Sequence, residues 1–527
     1  MKELRELKFE ELSIKQKLGM IHTPLLSDFC SEETVEYICN QVRNRALGSI
    51  WIQVTRNNPE KYLKMIRDIA DYPILIITDA ENGIGEYFIG KKNPIAATGD
   101  ERYAYAFGKV TAYQAKQMGY NVICSPLLDI KTNGTPRAFG SDKHMIARMC
   151  AAEARGMHDA GVLAFGKHYP SGQNPNNIDS HMAEAFSLQT AEELIEDGLF
   201  AYRELMKEGL LDGIMTGHHK FPKIDPEYPA SLSKKVIGVI RDLGFDGVAI
   251  TDALEMMGIR SRFGDELSAP LCIAAGNELA LPYWEETEFI QKAIYAGYEK
   301  GIITDERLDE AVKRILAAQH KVMLLEQTRA KELTEEEKYL CKHIDKDSVY
   351  AQVDEGLSTS ISKEGKHLFA LMVRNEEKVG DEGGVMVDTF TNGWLYPNKV
   401  IEKIKTLFPN SEVRIFHQFP TALQNRDVLQ SAVNFEDVIF MTFSEPLAYA
   451  GREHITERVV TLMECMQYTN RISTLIHFGN PCILHVLPHI PRYLLGCISE
   501  ESVNTCLEIL AGDYEAKGVK TYDFTLN

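Results

Sequence analysis

The sequence predicts an α/β fold in two parts, an N-terminal (β/α)8 TIM-like barrel over residues 1–325 and a smaller three-layer α/β sandwich over 366–527. Short apolar strands alternate with longer amphipathic segments along most of the chain. The strands are apolar on both faces, which is typical of parallel sheets covered by helices. The length of 527 residues also exceeds what one hydrophobic core usually serves. Residues 326–365 are polar and helical in pattern and are predicted as a linker.

The number of strand candidates before residue 325 favours a barrel. There are eight of them, as in a (β/α)8 barrel, whereas the alternative, a doubly wound sheet, usually has fewer. Several segments between them end in glycine, the common residue just after a helix. The candidates are 19–25, 48–54, 74–80, 121–130, 161–170, 212–218, 247–253 and 277–283.

After residue 365 the alternation resumes on a smaller scale, which predicts the second α/β domain. Neither half has a G-x-G-x-x-G or G-x-x-x-x-G-K-[ST] motif after a strand, so nucleotide binding has little support. The strand candidates are 367–373, 412–419, 437–443, 471–479 and 493–499.

Composition narrows the classes of function. The formal net charge of -19 argues against nucleic acid and anionic membrane as partners, because both attract basic surfaces. Residues 1–20 contain no apolar signal-peptide region, and no apolar run is long enough to span a membrane, so we expect a cytoplasmic protein. The 10 cysteines form no C-x-x-C pair, which favours reduced thiols over a zinc site. No cofactor and no oligomeric state are predicted.

Polar side chains gather where the predicted barrel strands end. In barrels the loops at the carboxyl ends of the strands converge on one mouth and carry the site, so this placement predicts a site there. The residues concerned are Asp79, Glu81, Asp129, Lys167, His168, His218 and Asp252.

Asp252 is the first candidate for chemistry. It follows the apolar run GVAI (247–250), so its carboxylate is expected at the barrel mouth, as a nucleophilic carboxylate requires. The alternative is an N-cap for the following helix, because aspartate is favoured at that position.

The segment Asp179-Ser180-His181 is the second candidate. A carboxylate two residues before a histidine can hold one ring nitrogen and orient the other, which makes the pair a competent acid/base for a glycosidic oxygen. The surrounding loop is rich in Gly, Pro and Asn, so the pair is expected to close over bound substrate. A surface turn without function is the alternative.

Further polar groups suit ligand binding. Asp79 and Arg137 are candidates for charged hydrogen bonds to sugar hydroxyls. His218 and His219 invite a metal reading, but neighbouring residues of a strand point to opposite faces, so no metal is predicted. Lys167 at a strand end leaves a Schiff-base aldolase as a chemical rival.

Several motifs occur together in this order along the chain: CSPLLDI (124–130), RAFGSD (137–142), KHYPSGQNPNNIDSH (167–181), PASLSKKVIG (229–238), LGFDG (243–247) and TDALEM (251–256). With these motifs the chain resembles glycoside hydrolase family 3, specifically its β-N-acetylglucosaminidase (β-hexosaminidase) branch. The resemblance covers most of residues 10–320. The second domain resembles the α/β sandwich that follows the barrel in many members.

The resemblance implies a two-step retaining mechanism on a carbohydrate substrate. Asp252 would form a covalent glycosyl-enzyme, and His181, oriented by Asp179, would be the acid and then the base. The His/Asp pair favours N-acetylglucosaminides over glucosides. The expected substrates are cytoplasmic sugar conjugates such as recycled cell-wall fragments. The resemblance also implies sugar-binding positions at Asp79, Arg137, Lys167 and His168, and we assign His218 to substrate binding as well.

Three departures from the family pattern bear on the substrate. The segment DAENGIG (79–85) lacks the family's arginine, Ser171 replaces a glycine, and the loop over 167–181 is one residue longer. The second domain also lacks a G-x-L-P-x-[ST] motif. Three alternatives stay open: a β-glucosidase-like member, a phosphorolytic member with phosphate as acceptor, and a catalytically degraded carbohydrate-binding protein. The exact glycone and aglycone are not predicted.

Overall fold

The computed structural model describes residues 4–54, 58–89, 91–130, 137–174, 178–283, 287–327, 331–373, 376–379, 385–388, 397–444, 454–469 and 471–523. Its strands are β1 (Ser49–Trp51), β2 (Leu75–Thr78), β3 (Val122–Ile123), β4 (Leu163–Tyr169), β5 (Gly213–Thr216), β6 (Val248–Thr251), β7 (Tyr350–Val353), β8 (His367–Val373), β9 (Glu376–Val379), β10 (Val385–Asp388), β11 (Glu412–His417), β12 (Asp437–Phe443), β13 (Ile472–Phe478) and β14 (Arg492–Gly496).

The helices are α1 (Ile14–Met20), α2 (Glu32–Arg43), α3 (Pro59–Ile69), α4 (Asn93–Ala97), α5 (Glu101–Met118), α6 (Lys143–Asp159), α7 (Ala191–Glu193), α8 (Phe200–Lys207), α9 (Lys234–Asp242), α10 (Met257–Ala275), α11 (Glu288–Glu299), α12 (Asp305–Gln327), α13 (Glu335–Lys342), α14 (Ile344–Asp347), α15 (Pro397–Leu407), α16 (Ala422–Ala432), α17 (Glu457–Tyr468) and α18 (Glu500–Ala511). Within the described ranges, no helix combines the length and apolarity needed to cross a membrane.

The chain divides into two compact units. The first contains Met1–Phe88, Glu101–Ile130 and Asp142–Cys341, and the second contains Ile89–Asp100, Lys131–Ser141 and Lys342–Asn527. Two short segments that lie between barrel strands in the sequence, 89–100 and 131–141, therefore belong to the second unit. The linear domain boundaries at 325 and 365 stay a prediction.

The first unit is built on a parallel sheet in the order β1-β2-β3-β4-β5-β6. Parallel backbone bridges extend both edges of this sheet. Leu25 pairs with Trp51 of β1, Leu279 pairs with Ile250 of β6, and the two added segments meet each other at the His22–Ala280 bridge. The first and last predicted strands thus contribute single bridges rather than full strands, and the ring of parallel pairings is consistent with a TIM-like domain.

Burial explains why these strands form. The strands β1, β2, β5 and β6 are buried along their whole length, as expected for a parallel sheet with apolar residues on both faces. Several flanking helices begin at a capping side chain: Ser31 accepts from Thr34 N at 3.1 Å, and Ser233 accepts from Val236 N, also at 3.1 Å. Helix α10 differs, because Met256 precedes it and offers no side-chain cap.

The second unit is built on a mixed sheet in the order β11-β8-β12-β13-β14-β7. Its five parallel strands lie at the five predicted positions, and their buried face forms the core of this unit. The strand β7 pairs antiparallel with β14 and lies inside the predicted linker, which also holds α13 and α14. Its sequence YAQV is only partly buried and has no apolar run, so the sequence did not predict it.

A buried ion pair joins two strands of this sheet. His367 Nδ1 donates to Asp437 Oδ1 at 2.5 Å, and His367 Nε2 donates to the Ser362 carbonyl at 2.7 Å. Burial lowers the pKa of His367, but these two hydrogen bonds outweigh it and raise the pKa above its ordinary value. Since both ring nitrogens face acceptors, the fold stabilises the protonated form of this imidazole.

This pair predicts a pH-dependent stability. The stabilisation by His367 is fully present below the unfolded value of about 6.5 and is lost as the pH rises through the raised folded pKa. We therefore expect the midpoint temperature of thermal unfolding to decrease as the pH rises above about 6.5. His367→Gln should flatten that dependence, whereas His485→Gln, at an exposed histidine of the same unit, should keep it. An unchanged pH dependence in His367→Gln would contradict the assignment.

Candidate active site

The carboxyl ends of the barrel strands bring five predicted side chains together. Lys167, in β4, forms ion pairs with Asp79, which follows β2, and with Glu81 at 3.0 Å. The neighbouring His168 points one ring nitrogen, Nε2, at the carboxylate of Asp252, with 3.8 Å to Oδ2. These groups come from strands far apart in sequence, as expected at a barrel mouth.

Asp252 is anchored at its backbone and open at its carboxylate. The Asp252 N–H donates to the Thr216 carbonyl at 2.8 Å, and Asp252 Oδ1 accepts from the Ala253 N–H, also at 2.8 Å. Its side chain is 23% exposed. Burial raises the pKa of Asp252, but the opposing effects of His168, the Ala253 N–H and Lys167 lower it overall. Asp252 is therefore an ionised, reachable carboxylate.

The N-cap alternative for Asp252 does not fit the structure. Helix α10 begins at Met257, and its N-cap position is Met256. Asp252 lies before that position, so its carboxylate caps no turn of this helix.

Asp129, on the segment after β3, positions His168. His168 Nδ1 donates to Asp129 Oδ2 at 2.8 Å, which orients Nε2 towards Asp252. Asp129 is buried, with 5% of its surface exposed. The sequence placed Asp129 among the strand-end residues but gave it no role, because the partner that it orients lies on a different strand.

We expect Asp129→Asn to shift the acid limb of the pH profile, where kcat/KM falls as the pH is lowered. Without the carboxylate, the His168 ring loses the partner that holds Nε2 towards Asp252, so the effect of His168 that lowers the pKa of Asp252 weakens. The acid limb of kcat/KM therefore shifts to higher pH. At neutral pH kcat/KM should fall about 10-fold. The measurement is the pH profile of kcat/KM for this variant and for the control Asp246→Asn, which changes an exposed aspartate in the same unit. An acid limb that stays in place would contradict this role.

The pair of Asp179 and His181 is preformed. His181 Nδ1 donates to Asp179 Oδ1 at 2.7 Å, and the His181 backbone N–H donates to the same oxygen at 2.9 Å. The two side chains are 35% and 24% exposed for His181 and Asp179. Because Nδ1 is engaged, Nε2 is the atom that can exchange a proton with a ligand. His181 also lies close enough to His218 to contribute to lowering its pKa.

His218 is buried and uses both ring nitrogens inside the protein. Nδ1 accepts from the Ser231 hydroxyl at 2.8 Å, and Nε2 donates to the Ala253 carbonyl at 2.9 Å. Burial is the main cause of its lowered pKa, so the ring is neutral. This arrangement suits a group that holds the segment after Asp252 in place. Its predicted contact with substrate stays a prediction.

Lys167 is buried, with 1% of its surface exposed. Its ammonium lies between the carboxylates of Asp79 and Glu81, an arrangement of a positioning cation rather than of a nucleophilic amine. Within the described part of the chain, no group of three or more His, Cys, Asp or Glu side chains is arranged to hold a metal ion.

Arg137 belongs to the second unit, on the segment 131–141. The residues that follow it are fixed within that unit, since the Phe139 carbonyl accepts from Asn93 Nδ2 at 3.0 Å and the Ala138 carbonyl accepts from the Tyr522 hydroxyl at 3.3 Å. The role of Arg137 in substrate binding stays a prediction.

Ser171, one of the departures from the family pattern, has a structural use. Its hydroxyl accepts from the Ile130 N–H at 2.7 Å, and the residue is buried. The serine thus ties the start of the loop that carries Asp179 and His181 to the segment that carries Asp129. The hydroxyl gives this loop an anchor that a glycine lacks.

A family model described as the glycosyl hydrolase family 3 N terminal domain matches residues 14–318, which is more than half of the chain. The chain belongs to glycosyl hydrolase family 3. The match includes every barrel strand and the residues at their carboxyl ends.

The chain is also similar to proteins named as glycosidases. A Cellulomonas fimi protein named beta-N-acetylglucosaminidase/beta-glucosidase is 26% identical over 330 residues, which are 58% of this chain and 57% of that protein. A beta-hexosaminidase of Idiomarina loihiensis is 29% identical over 237 residues, 42% of this chain and 71% of the relative. The chain thus matches little more than half the length of the Cellulomonas protein.

The fold of this family 3 chain is also that of solved structures. A glycoside hydrolase family 3 beta-N-acetylglucosaminidase from Paenibacillus sp. str. FPU-7 superposes with a TM-score of 0.77 at 23% identity, over 98% of this chain and 100% of that chain. At this identity the likeness shows the fold.

Proposed function

We propose that the chain is a retaining exo-β-glycosidase that hydrolyses terminal β-N-acetylglucosaminides. One observation carries the proposal: a single barrel mouth holds an ionised, reachable carboxylate, Asp252, and a histidine, His181, whose Nδ1 is bound by Asp179. A retaining glycosidase needs one nucleophile and one group that acts as acid and then as base. In the proposed layout a TIM-like barrel carries this chemistry and the α/β sandwich follows it.

In the first step Asp252 attacks the anomeric carbon from the face opposite the leaving group. A bond forms between its Oδ2 and that carbon while the glycosidic bond breaks. The proton of His181 Nε2 passes to the departing oxygen, and Asp179 stabilises the orientation of the ring by accepting from Nδ1. The lowered pKa of Asp252 keeps the nucleophile ionised.

In the second step water attacks the glycosyl–Asp252 ester. His181 Nε2 takes a proton from that water, the ester bond breaks, and the sugar leaves with its original configuration. His168, held by Asp129, faces the carboxylate throughout and offsets its negative charge as it leaves the sugar.

Asp79 and Lys167 are proposed to bind the hydroxyls of the sugar, together with His168. The charged groups form stronger hydrogen bonds than neutral ones, which fixes the ring in register with Asp252. The preference for the N-acetylated sugar is supported by the His/Asp pair and by the names of the Cellulomonas and Idiomarina relatives. Action on recycled cell-wall fragments in the cytoplasm remains part of the proposal.

The experiment is a panel of aryl β-glycosides assayed with and without inorganic phosphate: N-acetylglucosaminide, glucoside, xyloside and N-acetylgalactosaminide. We expect the N-acetylglucosaminide to be turned over fastest, with free sugar as product. Faster turnover of the glucoside would favour a β-glucosidase, and a sugar phosphate as product would favour a phosphorylase. Binding of sugar without turnover of any of the four would overturn the proposal in favour of a carbohydrate-binding protein.

A further inference from the structure

Residues 179–183, called the acid/base loop below because they carry His181, are bound to the first turn of helix α10, which follows Asp252. Helix α10 has no side-chain cap, so its first N–H groups need acceptors from elsewhere. The Met257 N–H donates to the His181 carbonyl at 3.2 Å, and the Gly258 N–H donates to the Ser180 carbonyl at 3.0 Å. Carbonyl groups of the acid/base loop therefore cap α10.

Gly258 lies at the point of closest approach. A Cβ atom added there would lie 2.8 Å from the Ser180 carbonyl oxygen and 3.0 Å from that of Ala183. Both are backbone atoms, so they can move away only if the loop moves. The φ angle of Gly258 is not in the left-handed region, so the backbone conformation does not require glycine here. The contact with the loop is what excludes a side chain.

If a side chain at position 258 displaces the loop, we expect residues 179–183 to move together. The Asp179 carbonyl accepts from the N–H groups of Met182 and Ala183 at 3.0 and 3.1 Å, which closes a turn around His181. The side chain of Asp179 holds the His181 ring from within the same turn. A push on the carbonyl oxygens of this turn therefore shifts the ring of His181 together with its carboxylate partner.

We propose that Gly258 is a positioning residue for the acid/base loop. Its N–H group and its lack of a side chain seat residues 179–183 on α10, so that His181 and Asp252 are held in register by one short segment. This inference rests on the proposed function, because it assumes that His181 delivers the proton. The step affected is the transfer of that proton from His181 Nε2 to the glycosidic oxygen as the Asp252 ester forms and the glycosidic bond breaks.

The test compares leaving groups in Gly258→Ala. If the acid is displaced, kcat/KM falls for substrates whose leaving oxygen must be protonated. It changes little for substrates whose leaving group departs as a stable anion. We expect kcat/KM for the phenyl β-N-acetylglucosaminide to fall by about 10²-fold, and that for the dinitrophenyl compound to fall less than about 3-fold. Gly238→Ala is the matched control, because this helical glycine in α9 has open space around a Cβ. It should leave both values unchanged.

A double variant separates positioning from general damage. If Gly258 acts through His181, adding Gly258→Ala to His181→Ala should cause no further loss on the phenyl substrate. A further loss there, or equal losses on both substrates in Gly258→Ala, would overturn the inference. A wild-type chain that turns over neither substrate would instead count against the proposed function.

A measurement on the wild-type chain keeps the inference testable if Gly258→Ala does not fold. Amide hydrogen exchange reports whether the N–H groups of Met257 and Gly258 are held by the loop carbonyls. We expect both to be protected well beyond the unprotected rate. Fast exchange at both amides would show that the loop is not seated on α10 and would overturn the inference.

Discussion

Replacing Asp252 with alanine should lower kcat/KM on an aryl β-N-acetylglucosaminide by at least about 10⁴-fold. The variant loses the atom that bonds to the anomeric carbon, and the neighbouring His168 and Lys167 cannot substitute for a carboxylate. Added azide should restore part of the turnover by occupying the vacated space. Because azide then attacks from the nucleophile's face, the product should be the α-glycosyl azide, with inverted configuration.

The control for this variant is Asp246→Ala. Asp246 lies just before β6, at the opposite end of the strand that Asp252 follows, and its side chain is 88% exposed. This variant should keep wild-type kcat/KM. Full activity in Asp252→Ala, or an azide product of retained configuration, would contradict the assignment of the nucleophile.

Replacing His181 with alanine should produce a loss that depends on the leaving group. For a poor leaving group such as phenol, kcat/KM should fall by about 10²- to 10⁴-fold, because no group protonates the departing oxygen. For dinitrophenol the first step should stay fast, and hydrolysis of the glycosyl–Asp252 ester should become limiting. A burst of dinitrophenol followed by slow turnover is therefore expected.

Two further variants test the role of His181, one at its carboxylate partner and one as a control. Asp179→Asn should show a smaller loss of the same kind, because the ring loses the carboxylate that holds Nδ1 and so orients Nε2. His144→Ala changes an exposed histidine elsewhere in the first unit and should leave kcat/KM unchanged. A loss in His181→Ala that is equal for phenol and dinitrophenol would show that His181 is not the acid.

The strands of both units could be predicted because their signal is local. A strand that is buried on both faces, such as β6 or β12, consists mainly of apolar residues, and that run is visible in the sequence. A polar residue directly after such a run must lie at the edge of the sheet. This reasoning placed Asp252 and the pair Lys167–His168 at the barrel mouth, where the structure has them.

Other features carried no local signal. The strand β7 is only partly buried, and its four residues do not form an apolar run. The segments 89–100 and 131–141 leave the barrel for the second unit, but their residues have the composition of ordinary loops. The role of Asp129 depends on His168, a residue on another strand, so its position after a strand did not reveal it.

The sequence by itself determined the alternation of strands and helices, the family, and the chemical identity of the candidate nucleophile and acid/base. Each of these features depends on residues that are neighbours along the chain. The tertiary structure alone decided that Asp129 orients His168, that His218 holds the segment after Asp252, and that the loop of His181 caps α10 at Gly258. These contacts join residues separated by dozens of positions. Their geometry is set by how the strands and helices pack, which no local pattern specifies.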